Sequence, residues 1–254
     1  MGGAIARAVS QVSSIEVYIS DNDKEKSLAL CKKLNASDSD NITISRFCDY
    51  IFIGVKPAYV ESVAKECEDA LSENVGAVII SMAAGVSTDS LTEYFGKREI
   101  IRIMPNTPIS VGKGLTTYAT NKYVTEKSEA GFHKIMSKSG KLDKLPENLI
   151  DAACAVAGCG PAFVYMFIDA LADGAVECGL SRDKALTYAA STLAGAAEMV
   201  ISTGEHPAKL KDAVCSPGGS TIEGVHALEE SGFRSAAINA VVKAYEKTKK
   251  LGKK

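Results

Sequence analysis

The chain has 254 residues, enough for one large domain or two modest ones around a buried core. It is 46% hydrophobic and 24% charged with a net charge of −2, a balance that gives no reason to expect nucleic acid or an anionic membrane as a partner. The basic cluster "KTKKLGKK" at the end of the chain reads as a solvated helix end. Seven cysteines (Cys31, Cys48, Cys67, Cys154, Cys159, Cys178 and Cys215) are irregularly spaced and form no CxxC pair, so they suggest neither a zinc ribbon nor a thioredoxin-like site. Reduced thiols in a cytoplasmic protein are the plain reading. The longest apolar run, "AVIISMAAGV", is too short to span a bilayer, and no signal peptide is visible. Ala6 stands where N-myristoylation wants Ser or Thr.

In chain order, "MGGAIARAVS" reads as a tight turn running into a helix. It matches the back half of a dinucleotide-binding turn, with Gly2 beside the pyrophosphate and Gly3 starting the helix, or simply a frayed terminus. "IEVYI" (15–19) is strand-like and is followed by "SDNDK". An acid there accepts from an adenosine ribose, a role open to Asp21; alternatively Asp21, Asn22 and Asp23 only cap the helix "DKEKSLALCKKL" (23–34). "DYIFIGV" (49–55) is a strong strand whose far end carries Val55, Lys56 and Pro57, where Lys56 could meet a phosphate or ribose or be merely solvated. A helix over 59–71 follows, then the strands "VGAVIISMA" (75–83) and "EIIRIMP" (99–105), with a short helix at 87–95 between them. Ala83, Ala84 and Gly85, then Asn106 and Thr107, sit at strand ends, where small residues let a flat ring approach the backbone. Ile/Val runs separated by helices predict a parallel sheet covered on both faces, a doubly wound α/β domain over 1–146.

From Glu147 onward the pattern is helical, which predicts an all-α domain over 147–254. The segments 150–180 and 181–203 are long and rich in Ala and Gly, which suits close helix packing or an intertwined dimer. Gly179 predicts the stop of the first and Ser181 the N-cap of the second. "DAVCSPGGSTIEGV" (212–225) is the most informative segment. Pro217-Gly218-Gly219 is a turn, and Ser220 to Glu223 matches a capping box, so a helix is expected from Thr221. Two glycines ahead of a cap favour close approach of an anion such as a carboxylate, and the Thr221 hydroxyl lies on the same turn. A last helix covers about 233–250. The three histidines lack metal spacing, and no metal is assigned.

Taken together, "FIGVKP", "AAGV", "MPNTP", "AVAGCGPAFVYMFIDALADGAVECGL" and above all "GEHPAKLKDAVCSPGGSTIEGVHALEESGFR" (204–234) resemble the pyrroline-5-carboxylate reductases, collinearly from Met1 to the last helix. The resemblance implies reduction of the C=N bond of 1-pyrroline-5-carboxylate to L-proline by NADPH or NADH. It implies cofactor contacts at Gly2, Ser20, Asp21, Val55, Lys56, Pro57, Ala83, Ala84, Gly85 and Asn106. Substrate contacts fall at Ser216, Gly218, Gly219, Ser220 and Thr221, with Thr221 against the ring nitrogen as the catalytic group. It also implies a homodimer, with a higher oligomer such as a decamer open.

Two departures stand out. At the ribose position this chain has Ile19-Ser20-Asp21, with no Arg for a 2′-phosphate, which leans toward NADH without excluding NADPH. Met1 aligns with the Met of the family's G-x-G-x-M-G, so the first strand and first two glycines are absent from the expected fold. Alternatives are a truncated, cofactor-impaired paralogue serving as a dimerising module, or a β-hydroxyacid or F420-linked reductase of the same two-domain plan.

Overall fold

The structure, a computed structural model, describes residues 1–251; residues 252–254, the end of the basic tail, lie outside the described residues. The chain divides into two compact units, residues 1–159 with 244–254, and residues 160–243. The first helical residues after 147 therefore pack with the α/β unit rather than with the helices that follow.

The first unit opens with α1 (Gly2–Val9), β1 (Tyr18–Ile19), α2 (Lys24–Leu34), β2 (Ser37–Asp38) and α3 (Asn41–Phe47). Then come β3 (Tyr50–Ile53), α4 (Val60–Glu66), α5 (Glu68–Glu73), β4 (Val78–Ser81), α6 (Thr88–Phe95) and β5 (Ile100–Met104). It closes with β6 (Gly114–Thr120), α7 (Glu126–Ile135), β7 (Gly140–Lys144) and the short α8 (Ile150–Ala153). The helix expected over 59–71 breaks at Cys67 into α4 and α5.

Two features differ from the expected single parallel sheet. Strands β3, β4 and β5 are parallel, but β6 runs antiparallel to β5 and pairs in parallel with β7. Strands β1 and β2 form a separate two-stranded parallel sheet, and no strand joins β1 to β3 among the described residues.

The apolar runs fill both faces of the larger sheet. Along β4, Val78 and Ile80 join Ile101, Ile103, Phe132 and the α1 residues Ile5, Ala8 and Val9. Ile79 points the other way and joins Ile51, Ile53, Ile100, Val60, Leu71 and Leu91. Period-two alternation sends successive residues to opposite faces, so a strand buried on both sides must be apolar throughout.

At the β6–β7 edge the backbones approach too closely for side chains. A Cβ on Gly140, whose φ is +117°, would lie 2.1 Å from the Gly114 carbonyl oxygen. Two carboxylates brace α7. Burial works to raise the Glu99 carboxyl, but the Ser128 hydroxyl and the Thr125 amide outweigh it and hold it below the ordinary range. Burial acts likewise on Glu129, and Lys144 and the Tyr118 hydroxyl reverse it. Folded pKa values below the unfolded ones mean that this stabilisation is present above the ordinary carboxylate pKa, about 4.3, and is lost as pH falls through the folded values. Thermal unfolding should therefore give a flat Tm near neutrality and a falling one below about pH 4. Glu99→Gln should shrink that acid loss; an unchanged acid limb would remove Glu99 from it.

The second unit is helical: α9 (Gly160–Glu177), α10 (Arg182–Thr203), α11 (Pro207–Val214) and α12 (Ser220–Glu230), followed by α13 (Phe233–Leu251), whose last turns return to the first unit. Gly179 takes the left-handed conformation (φ 97°) as the expected stop, and Ser181 is the N-cap of α10, although its side chain makes no capping bond. The core of this unit is thin: Ala172, Ala185 and Ala189 are its buried apolar cluster, with Ile168, Ala175 and Val176 against them. Large apolar side chains face outward instead, among them Met166 at 73% exposure and Ile201 at 76%. The helical run Glu147–Glu177 is long and apolar enough to cross a membrane, by length and composition only. The expectation that "AVIISMAAGV" is the longest apolar run overlooked residues 152–168 within this helical run, a longer stretch without a charged side chain.

Candidate functional site

In the α/β unit, parallel β3, β4 and β5 deliver their carboxyl ends to one edge of the sheet, where open α/β sheets take their ligands. The helix α1 presents its N-terminus with Met1 as N-cap and no side chain bonded to it. The Met1 carbonyl accepts from the amides of Ala4 and Ile5, so the amides of Gly2 and Gly3 are the first-turn donors left for a phosphate. A Cβ on Gly2 would meet nothing within 4 Å, whereas one on Gly54 would sit 3.8 Å from the Gly2 Cα. The end of β3 and the start of α1 are thus neighbours with an open face beside Gly2. That arrangement fits a dinucleotide pyrophosphate. The helix starts at Gly2, one residue earlier than expected.

The other cofactor candidates are distributed around this edge. Lys56 is exposed and is the N-cap of the 3-10 turn Pro57–Tyr59; Val55 is half-buried. Ala83 is buried, and its amide donates to the Ser81 hydroxyl at 3.3 Å, while Ala84 and Gly85 are half-buried with Gly85 at φ 78°. At the ribose position, Ser20 follows β1, and Asp21 Oδ1 accepts from the Asp23 amide at 2.9 Å. Asp23, not Asp21, caps α2 by accepting from the Lys26 amide. Lys24, the nearest cation in sequence, is paired with Asp38.

Asn106 is 8% exposed, and its amide group is engaged within the fold. Its Nδ2 donates to the Ala157 carbonyl at 3.0 Å, and its Oδ1 accepts from the Leu115 amide at 2.9 Å. The side chain therefore ties the end of β5 to β6 and to the turn after α8, and what it offers a ligand is its backbone and its position.

Sequence reasoning missed a second tie at this edge. Arg102 on β5 is 4% exposed and pairs through Nη1 with Glu147 at 3.1 Å and through Nη2 with Asp151 on α8 at 3.0 Å. Glu147 also accepts from the amide of Thr88 at 2.7 Å and from its hydroxyl, at the start of α6. One arginine and two carboxylates thus lash β5 to the segments following β4 and β7. A lone Arg inside the apolar run "EIIRIMP" was the available signal, because a charge at a buried position requires partners.

In the helical unit the turn before α12 carries the second candidate site. Gly218 has φ +67°, and the Gly219 amide donates to the Ser216 carbonyl at 3.0 Å. A Cβ on Gly219 would fall 2.4 Å from the Ser216 hydroxyl oxygen. The expected capping box does not form: the N-cap is Gly219, it has no side chain to bond, and α12 starts at Ser220 rather than Thr221. The physical reason is that the tight turn through Gly218 places a side-chain-free residue at the cap. The first-turn amides of Ser220 and Thr221 have no partner within the helix and no side-chain cap, an arrangement that suits a carboxylate. Ser216, Gly218, Ser220 and Thr221 are all exposed. Among the described residues no group of three or more His, Cys, Asp or Glu could hold a metal ion.

Comparison with known proteins matches both units. The family model for pyrroline-5-carboxylate reductase dimerisation matches residues 147–251, and that for NADP oxidoreductase, coenzyme F420-dependent, matches residues 1–85. The pyrroline-5-carboxylate reductase of Escherichia coli is 41% identical over 254 residues, 100% of this chain and 93% of its own length. The pyrroline carboxylate reductase of Plasmodium falciparum, solved with NADP bound, superposes with a TM-score of 0.85 at 32% identity, covering 99% of this chain and 94% of that one. The 1-pyrroline-5-carboxylate reductase of Streptococcus pyogenes gives 0.88 at 30% identity, over 98% and 95%.

Proposed function

The chain belongs to the pyrroline-5-carboxylate reductase family, and from that premise we propose how its own residues reduce 1-pyrroline-5-carboxylate to L-proline. The observation that carries the reading is the uncapped start of α12 behind Gly218 and Gly219, next to the Thr221 hydroxyl. The amides of Ser220 and Thr221 bind the substrate carboxylate. Thr221 Oγ1 accepts from the N–H of the protonated imine and keeps that contact as the nitrogen becomes an amine. The reduced nicotinamide, when bound, supplies the hydride for the imine carbon. With the imine already protonated no strong general base is needed, and the protein's part is orientation and electrostatic complementarity.

On the α/β unit, Gly2 and Gly3 serve the pyrophosphate, and Ser20 and Asp21 serve the adenosine ribose. Val55, Lys56 and Pro57, with Ala83, Ala84, Gly85 and Asn106, shape the remaining length of the cofactor edge. NADH is the favoured donor: Asp21 would repel a 2′-phosphate, and Lys24 is occupied by Asp38. The exposed apolar face of α9 and α10 supports self-association in a cytoplasmic setting that also fits seven free thiols. A groove of about 410 Å³ lined by Tyr165, Met166, Ile168, Asp169 and Leu186 belongs to that face. Met166→Glu places a charge on it and should weaken self-association at least about tenfold in sedimentation equilibrium. An unchanged association constant would move the interface elsewhere.

The deciding experiment follows NADH and NADPH oxidation with 1-pyrroline-5-carboxylate. Turnover with NADH exceeding that with NADPH is expected. Chain that dimerises but turns over with neither donor would instead favour the dimerising-module reading.

A further inference from the structure

The segment between α8 and α9 is not an α-helix. Residues Cys154–Gly158 form a π-turn, in which the Cys159 amide donates to the Cys154 carbonyl at 3.0 Å. An i→i+5 bond changes which side chains are neighbours. In an α-helix residues five apart lie on different faces, about 8 to 9 Å apart at Cα; the wider π-turn stacks them at about 6 Å, inside the range a disulfide spans. The side chains follow: a Cβ on Gly158 would lie 3.0 Å from Cys154 Sγ, so that sulfur sits over the residue next to Cys159. Burial pushes the Cys154 thiol up to about 11, with the neighbouring Cys159 adding to the shift. Both cysteines are half-buried free thiols.

We propose that Cys154 and Cys159 are a modification site, a thiol pair that a peroxide closes reversibly to a disulfide, and that closure releases the Asn106 anchor at the cofactor edge. Cys159 meets the oxidant, and Cys154, which burial keeps protonated, resolves the product. Its sulfur attacks one peroxide oxygen, breaking the O–O bond and giving a sulfenic acid and one water. The Cys154 sulfur then displaces the sulfenic oxygen as a second water. Two thiols lose two electrons and two protons, and one peroxide is reduced to two waters. Closing the two free sulfurs to a bond of about 2 Å moves the turn by an amount its hydrogen bonds cannot absorb. The Ala157 carbonyl lies inside the closed loop and accepts from Asn106 Nδ2 at 3.0 Å, so that bond is the one strained.

The test uses the full chain treated with hydrogen peroxide, blocked with N-ethylmaleimide under denaturing conditions, and read by peptide mass. The peptide holding both cysteines should lose two hydrogens and escape alkylation, and dithiothreitol should reverse both changes. Amide hydrogen exchange at Leu115, the other partner of Asn106, should rise in the oxidised chain. The activity readout rests on the reductase reading: kcat/KM should drop about fivefold on oxidation, the effect of one lost hydrogen bond, and recover on reduction. C154A and C159S should each abolish the mass change and the peroxide sensitivity. Alkylation of both sulfurs under conditions that oxidise the exposed Cys178, or sensitivity that persists in C154A, overturns the proposal. Because mass and exchange need no turnover, a catalytically silent chain leaves the test intact.

Discussion

Thr221→Ala is expected to lower kcat/KM for 1-pyrroline-5-carboxylate by about a hundredfold, the usual effect of removing one group aimed at the charge that changes during reaction. Helix α12 and its N-terminal amides should survive the change, because Thr221 makes no capping bond and its side chain is exposed. Carboxylate binding should therefore persist, and the loss should fall mainly on kcat rather than on KM. Thr221→Ser, which keeps the hydroxyl, should recover most of the rate. Steady-state kinetics on the three proteins check this. Full kcat/KM in the alanine variant would leave the carboxylate-binding turn as the whole substrate site and remove Thr221 from the mechanism.

Arg102→Ala should have the largest effect on stability. Removing the guanidinium leaves Glu147 and Asp151 facing each other without their cation. Breaking a fully buried pair costs about 3–5 kcal/mol. The two carboxylate side chains here keep 29% and 28% of their exposure, so a loss of about 2–3 kcal/mol is expected instead. For a chain of this size that corresponds to a fall in Tm of about 5–10 °C. The same loss frees the start of α6 and the start of α8 from β5, so the KM for the nicotinamide cofactor should rise as well. Thermal unfolding and cofactor titration read the two effects separately. A variant with unchanged Tm would mean that water replaces Arg102 without penalty, and the network would then have no structural role.

The candidate cofactor edge and the glycine turn before α12 stand out in the sequence for different reasons. Ile/Val runs such as "YIFI" and "VIIS" must be strands buried on both faces, and the residues just past them must then lie at the ligand-binding edge. Gly218 and Gly219 stood out because a plain capped helix has no use for two glycines. Strand β6 was not legible: "GLTTYAT" buries Thr116 and Thr117 beside Tyr118 and Ala119, so its polarity hid its place in the sheet. Its antiparallel pairing depends on partners on β5 and β7, which no local pattern names.

By itself the sequence determined that a doubly wound α/β unit precedes helices, where the strand ends fall, and that residues 204–234 resemble the reductase family's C-terminal segment. Those features follow from local periodicity, glycine and proline placement, and a long collinear resemblance. Only the tertiary structure decided that Asn106 spends its amide group on Leu115 and Ala157, and that Gly219 rather than Ser220 is the cap. It alone joined Arg102 to two carboxylates at least 45 positions away in the chain and wound Cys154 against Cys159. Each of these depends on which groups become neighbours once apolar surfaces are buried. A buried charge or amide must find its partner in space, and the sequence records only that it needs one.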